Sequence, residues 1–235
     1  MTVYLLLFIA TLLYSFLAHG DSVSTTKQFF RIGRSTTYAI IAEVCPLIWT
    51  VLQPLVLKRK TQRELRVIAG GFRAKWDFPN CVGVVDGKEI NIKAPPHSGS
   101  YYFNYKKFFS IKLLAACDAY YRFIWVDIGN YGSVSDAAAF KRTRLYEALE
   151  RDEADFPARG RLPRSNFVLP HYLIEDEIFS QQTYMMVPFA RRRGLTERQT
   201  HFNYSQIVKG PQVSVQIGNV NRSRSSHRMS TQFRH

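Results

Sequence analysis

Between residues 81 and 128 the chain offers four short β-rich runs, CVGVVD (81–86), EINIK (89–93), FFSIKLLAAC (108–117) and RFIWVDI (122–128). Turn-prone Asp86-Gly87 and Asp118-Ala119-Tyr120 separate them. Residues 136–150 then carry an apolar stripe at helical spacing, and residues 166–174 return to strand character. Strands, one helix and a further strand define a mixed α/β plan, in which the first and fourth runs are expected to be parallel neighbours. The acids follow this plan. Asp86 closes the first run, Asp127 and Asp136 follow the fourth, and Asp176 follows the fifth, so strand ends pointing one way would gather their carboxylates at one pole. Asp118 would fall at the other. Clustered carboxylates repel one another unless a divalent cation sits among them.

The charge supports a polyanionic partner. The 235 residues carry 32 Lys and Arg against 18 Asp and Glu, a formal net charge of +14. Its distribution is uneven: residues 27–75 hold ten bases and two acids, and residues 191–235 hold nine bases and one acid. Residues 76–190 are nearly neutral, with thirteen bases and fourteen acids. Basic flanks that grip phosphates around an acidic, metal-holding centre suit a nucleic-acid enzyme. Cys45, Cys81 and Cys117 lie 36 residues apart, which excludes zinc-finger and CxxC spacing and predicts reduced thiols.

The N-terminal third reads as helical. Residues 3–18 (VYLLLFIATLLYSFLA) have no charge, and the run is open to two readings: a signal-type segment without a cationic start, or a core helix capped by Gly20. Ser35 is a good N-cap for a second helix from Thr36, carrying Ile40, Ile41, Val44, Leu47, Ile48, Val51 and Leu52 on one face, with Pro46 as a kink. Helix, Gly33-containing turn and Arg-flanked helix is the grammar of a helix-turn-helix and equally of a plain helical hairpin. A third helix is expected over residues 62–75.

An ordered series of motifs carries a family resemblance. Residues 83–96 (GVVDGKEINIKAPP), 102–106 (YFNYK), 118–123 (DAYYRF), 127–133 (DIGNYGS) and Asp136 resemble the PIF/Harbinger DDE transposases and the nucleases derived from them. The resemblance extends upstream through residues 16–21 (FLAHGD) and 30–35 (FRIGRS). Downstream it continues through 169–172 (LPHY), 175–177 (EDE), 186–188 (MVP) and 195–197 (LTE) to 202–204 (FNY). It implies a helical N-terminal region over 1–76, an RNase H-like nuclease domain over 81–218 and a polar basic tail over 219–235. It also implies that the apolar N-terminal run is a buried helix, that the substrate is DNA, that the protein works in the nucleus without a membrane, and that a Myb-like protein partners it.

For the site, the resemblance implies Asp86, Asp136 and Asp176 as catalytic ligands of a divalent cation, Mg²⁺ or Mn²⁺, with Glu177 as the alternative to Asp176. The glutamate expected in the family's closing helix falls on Ser214. Residues 209–218 (KGPQVSVQIG) contain no acid, and Gly210-Pro211 interrupts the expected helix. A hydroxyl cannot supply a carboxylate's charge to a hard cation. The resemblance therefore implies an endonuclease whose catalysis is impaired, or alternatively an inactive DNA- or partner-binding relative.

Overall fold

The computed structural model describes residues 2–176, 179–190 and 194–204. They form two compact units that divide after Lys58.

The first unit comprises helices α1 (Thr2–His19), α2 (Val23–Phe30) and α3 (Arg34–Val56). Gly20 ends α1 in the left-handed conformation, φ 68°, where a glycine costs no Cβ strain. Ser22 caps α2 by accepting from the Thr25 amide at 3.1 Å. Helix α3 starts two residues earlier than expected, at Arg34, and runs through both Pro46 and Pro54.

The burial expected of α1 is not found: only Leu12 and Leu13 are buried along it, while Val3 through Leu7 are all more than half exposed. A helix that is apolar on every side needs neighbours on every side. Here α2 and α3 are the elements packed against it. Helix α3, unlike the shorter α1, is long and apolar enough to span a bilayer by length and composition, and only its Thr37 is buried.

The second unit begins at Arg59. Its first element, α4 (Gln62–Trp76), starts at a capping box in which the Thr61 hydroxyl and the Glu64 carboxylate each satisfy the other's backbone amide. Grouped with the N-terminal helices by sequence, α4 belongs with the sheet, because Leu65 and Ala69 sit in the sheet's hydrophobic core.

Strands β1 (Cys81–Asn91), β2 (Ser110–Cys117), β3 (Phe123–Tyr131), β6 (Tyr172–Ile174) and β7 (Met185–Met186) form one sheet in the order β3-β2-β1-β6-β7. The first three are antiparallel neighbours, and β6 and β7 are added parallel to β1. Strands β4 (Gly160–Arg161) and β5 (Val168–Leu169) make a separate small ribbon. Helices α5 (Asp136–Phe140) and α6 (Arg144–Glu150) follow β3, and α7 (Glu197–Tyr204) closes the described chain. This mixed α/β sheet with helices is the RNase H-like plan expected from the sequence.

Three expectations are corrected. The runs 81–86 and 89–93 are one continuous strand, because Asp86-Gly87 does not turn: Gly87 is not among the positive-φ residues. The first and fourth runs are parallel but not adjacent, since β2 lies between them, and the parallel neighbour of β1 is β6. The single helix over 136–150 is two, broken where the Thr143 hydroxyl accepts from the Tyr146 amide at 3.2 Å and starts α6 afresh.

The core packs Val82, Val85, Leu114, Ala116 and Leu173 of the sheet against α4, α5 and α6. Phe140 at its centre meets Trp125, Tyr146 and Phe179 edge to face, with ring centroids 5.8–6.1 Å apart. Where β3 ends, Gly132 lies against β2. A Cβ there would come within 2.2 Å of Ser110 Oγ, 2.6 Å of the Ser110 carbonyl and 2.7 Å of the Tyr102 carbonyl. Two of those obstacles are backbone, so Gly132→Ala is expected to lose about 1–3 kcal/mol or more. A urea midpoint that falls with unchanged slope would register the loss. An unchanged midpoint would mean that this backbone relaxes freely.

Candidate metal centre

The parallel pairing of β1 with β6 positions the first two acids. Val84 and Ile174 form the last pair of the β1–β6 ladder, and Asp86 and Asp176 each follow it by two residues. Neighbouring strands lie about 4.8 Å apart, close enough for two carboxylates at matched positions to share a cation. Asp86 is half-buried inside β1 and accepts from the Gly87 amide at 2.7 Å, whereas Asp176 is exposed just past the end of β6. The charge of Asp86 also reaches Cys117, the partner of Val84 in the register. Burial raises that thiol first and most, and the charges of Asp118 and then Asp86 add to it, bringing it to about 12.

Glu175, just past the end of β6 and next to Asp176, is only 3% exposed, and neither of its carboxylate oxygens has a hydrogen-bond partner. Burial, followed by the charges of Asp176, Asp86 and Asp136, pushes its carboxyl up to about 9. All four acids therefore lie within electrostatic reach of one point. Since the folded-state value lies above the unfolded one, the native state holds the proton more tightly. Its stabilising effect is complete at acid pH and is lost as pH rises towards 9. In metal-free buffer, Glu175→Gln should gain stability over the parent protein between pH 5 and 8, with a slope approaching about 1.4 kcal/mol per pH unit. Parallel denaturation curves across that range would contradict the shift.

Asp136 is held differently. Adjacent strand residues point to opposite faces, so Asp86 and Gly87 diverge, and it is Gly87 that Asp136 covers. A Cβ on Gly87 would lie 2.5 Å from Asp136 Cγ and 2.7 Å from each of its oxygens. The glycine is there for this close approach and not for a turn. Asp136 Oδ1 pairs with Lys112 Nζ at 2.7 Å, and the same ammonium binds Glu89, directly opposite in the β1–β2 register. Burial would lower the Lys112 pKa, but hydrogen bonds to Asp136 and Glu89 and their charges outweigh it and raise it. Ser110 Oγ donates to Glu89 Oε2 at 2.5 Å and accepts from Asn104 Nδ2 at 2.7 Å.

The remaining acids singled out by sequence do not join this group. Asp127 lies within β3, not after it, and accepts from Asn130 Nδ2 at 3.0 Å. Asp118 closes the turn after β2, accepting from Arg122 Nε at 2.7 Å and from the Tyr120 and Arg122 amides. Glu177 and Ser214 lie outside the described residues. Sequence reasoning passed over Lys112, Glu89 and Glu175. A lysine inside the otherwise apolar run SIKLLAAC was the available signal, and only the strand register reveals its partner.

Among the described residues no group of three or more His, Cys, Asp or Glu is gathered tightly enough to hold a metal ion. The donors nonetheless suit a hard divalent cation. They are carboxylate oxygens, and the charges of Asp86 and Asp176 both reach Glu175, whose two oxygens are buried and unsatisfied.

The family described as DDE superfamily endonuclease matches residues 85–209, more than half of the chain. A Xenopus laevis protein named "Putative nuclease HARBI1" is 34% identical over 91 residues, covering 39% of this chain. The match spans 26% of that relative's length. No solved structure matches the chain significantly.

Proposed function

The chain belongs to the DDE superfamily endonucleases, and from that premise we propose that it is a Harbinger transposase-derived, metal-dependent DNA endonuclease domain acting in the nucleus. Asp86 and Asp176 hold the cation, Mg²⁺ or Mn²⁺. The observation that supports this reading is that the charges of Asp86 and Asp176, each two residues past the last β1–β6 pair, both reach buried Glu175, whose carboxylate oxygens have no hydrogen-bond partner. A bound divalent cation would supply charge to activate water and to stabilise the leaving oxygen of a phosphodiester. The protein's own part is to hold the carboxylates on two adjacent strands and to bring nucleic acid to them. Residues 27–75, with ten bases and two acids, are suited to gripping phosphates.

Ser214 favours a second reading of the same domain. With no acid anywhere in residues 209–218, the site lacks the glutamate that the resemblance assigns there, so cleavage is slow or lost while metal and DNA binding persist. Purified full chain, titrated calorimetrically with Mn²⁺ and incubated with supercoiled plasmid, separates the two. Nicking that disappears in Asp86→Ala marks an endonuclease, and metal and DNA binding without nicking marks the silent relative. Failure to bind either Mn²⁺ or DNA at low salt sinks both.

A further inference from the structure

Lys112 is 2% exposed and lies inside β2, a position where an unpaired ammonium would be costly. It is held by two carboxylates from different elements, Glu89 of β1 and Asp136 at the start of α5, with Asp136 Oδ1 at 2.7 Å. Two carboxylates converging on one buried positive centre is also how a protein holds a divalent ion. Both oxygens of Glu89 and Oδ1 of Asp136 are committed by this arrangement. Glu89 receives Lys112 on one oxygen and the Ser110 hydroxyl on the other, and Asp136 Oδ1 has no hydrogen-bonding donor besides the ammonium's ion pair. A second cation at the same oxygens would be repelled by the ammonium. Gly87 fixes the geometry from below, since any side chain there would displace the Asp136 carboxylate.

We propose that Lys112 is a resident cation: its ammonium occupies, between Glu89 and Asp136, the place of a divalent ion. Asp136 then acts as a positioning residue and not a metal ligand, and the chain takes one divalent ion, at Asp86 and Asp176. The first ion rests on the nuclease reading. The occupancy of the Glu89–Asp136 site does not, because it can be emptied and tested alone.

Removing the ammonium should turn its site into one for a divalent cation. Asp136 is 23% exposed at its side chain, which leaves a way in from solvent. The experiment titrates Mn²⁺ into the full chain and its variants, reading calorimetric stoichiometry and thermal midpoint. The parent protein is expected to bind one ion and Lys112→Ala two. At about a hundredfold excess over the dissociation constant, the extra ion should raise the Lys112→Ala midpoint by about 5 °C or more. Adding Glu89→Gln should abolish that gain. Asp136→Asn in the parent background should still bind one Mn²⁺, with affinity reduced by less than about tenfold, since a charge in reach of the site is lost but no ligand is.

Two ions in the parent, a folded Lys112→Ala that gains none, or a Lys112→Ala that stays unfolded with and without Mn²⁺ would each overturn the proposal. So would a tenfold loss of affinity in Asp136→Asn. If the parent binds no Mn²⁺, the nuclease reading loses its metal site, and the gain or its absence in Lys112→Ala still decides the role of Lys112.

Discussion

Asp86→Asn and Asp176→Asn are each expected to abolish most Mn²⁺ binding while leaving the fold intact. Loss of a group that only orients a ligand costs roughly 10–100-fold in affinity, so loss of a ligand itself should exceed that range. Asparagine keeps the shape and one oxygen but removes the charge that a hard cation requires. The same changes remove a negative charge near buried Glu175, whose carboxyl both acids push up. In metal-free buffer the relieved repulsion should offset the contacts these carboxylates give up, keeping the variants within about 1 kcal/mol of the parent protein. Calorimetry with Mn²⁺ and denaturation in chelator test the two halves together. Retained affinity in both variants would move the cation elsewhere, and loss of stability without metal would mean that these acids serve the fold.

The second large effect concerns folding. Lys112→Met keeps most of the side-chain volume but leaves Glu89 and Asp136 without their common cation, and breaking a buried ion pair from one side costs about 3–5 kcal/mol. For a chain of this size that lowers the thermal midpoint by roughly 6–20 °C. Pairing it with Glu89→Gln removes the stranded charge and should recover part of the loss, giving a non-additive cycle as expected for groups in contact. A strictly additive cycle would show that the lysine and glutamate do not depend on one another. Chemical denaturation followed by far-UV circular dichroism is sufficient to measure both. Ser110 shares this network through its bond to Glu89 and also faces Gly132, so damage at Gly132 and at Lys112 should couple.

Much of the fold was legible because local patterns carry it. β-rich runs marked β1, β2 and β3, and the helix expected over residues 62–75 is α4. Asp86-Gly87 was misread as a turn because glycine after aspartate suits a tight hairpin, whereas here the missing Cβ makes room for Asp136, forty-nine residues on in the chain. The N-terminal run was read as buried because the family resemblance reaches into it, yet apolar composition states a need for cover and not its presence. Asp127 and Asp136 looked equivalent to Asp86 along the chain. Their actual partners, Asn130 and Lys112, separate the three.

Residue order alone was enough to establish the mixed α/β class, the family resemblance and the strands that carry the acids, since periodicity and motif spacing are properties of neighbours along the chain. Which acids face one another was decided only by strand register and sheet order. A parallel β6 beside β1 puts the ends that carry Asp86 and Asp176 at one pole, and an antiparallel β2 delivers Lys112 to Glu89 and Asp136. Successive strand residues point to opposite faces, so a shift of one residue in either pairing would exchange these partners. No local pattern in the chain encodes that choice.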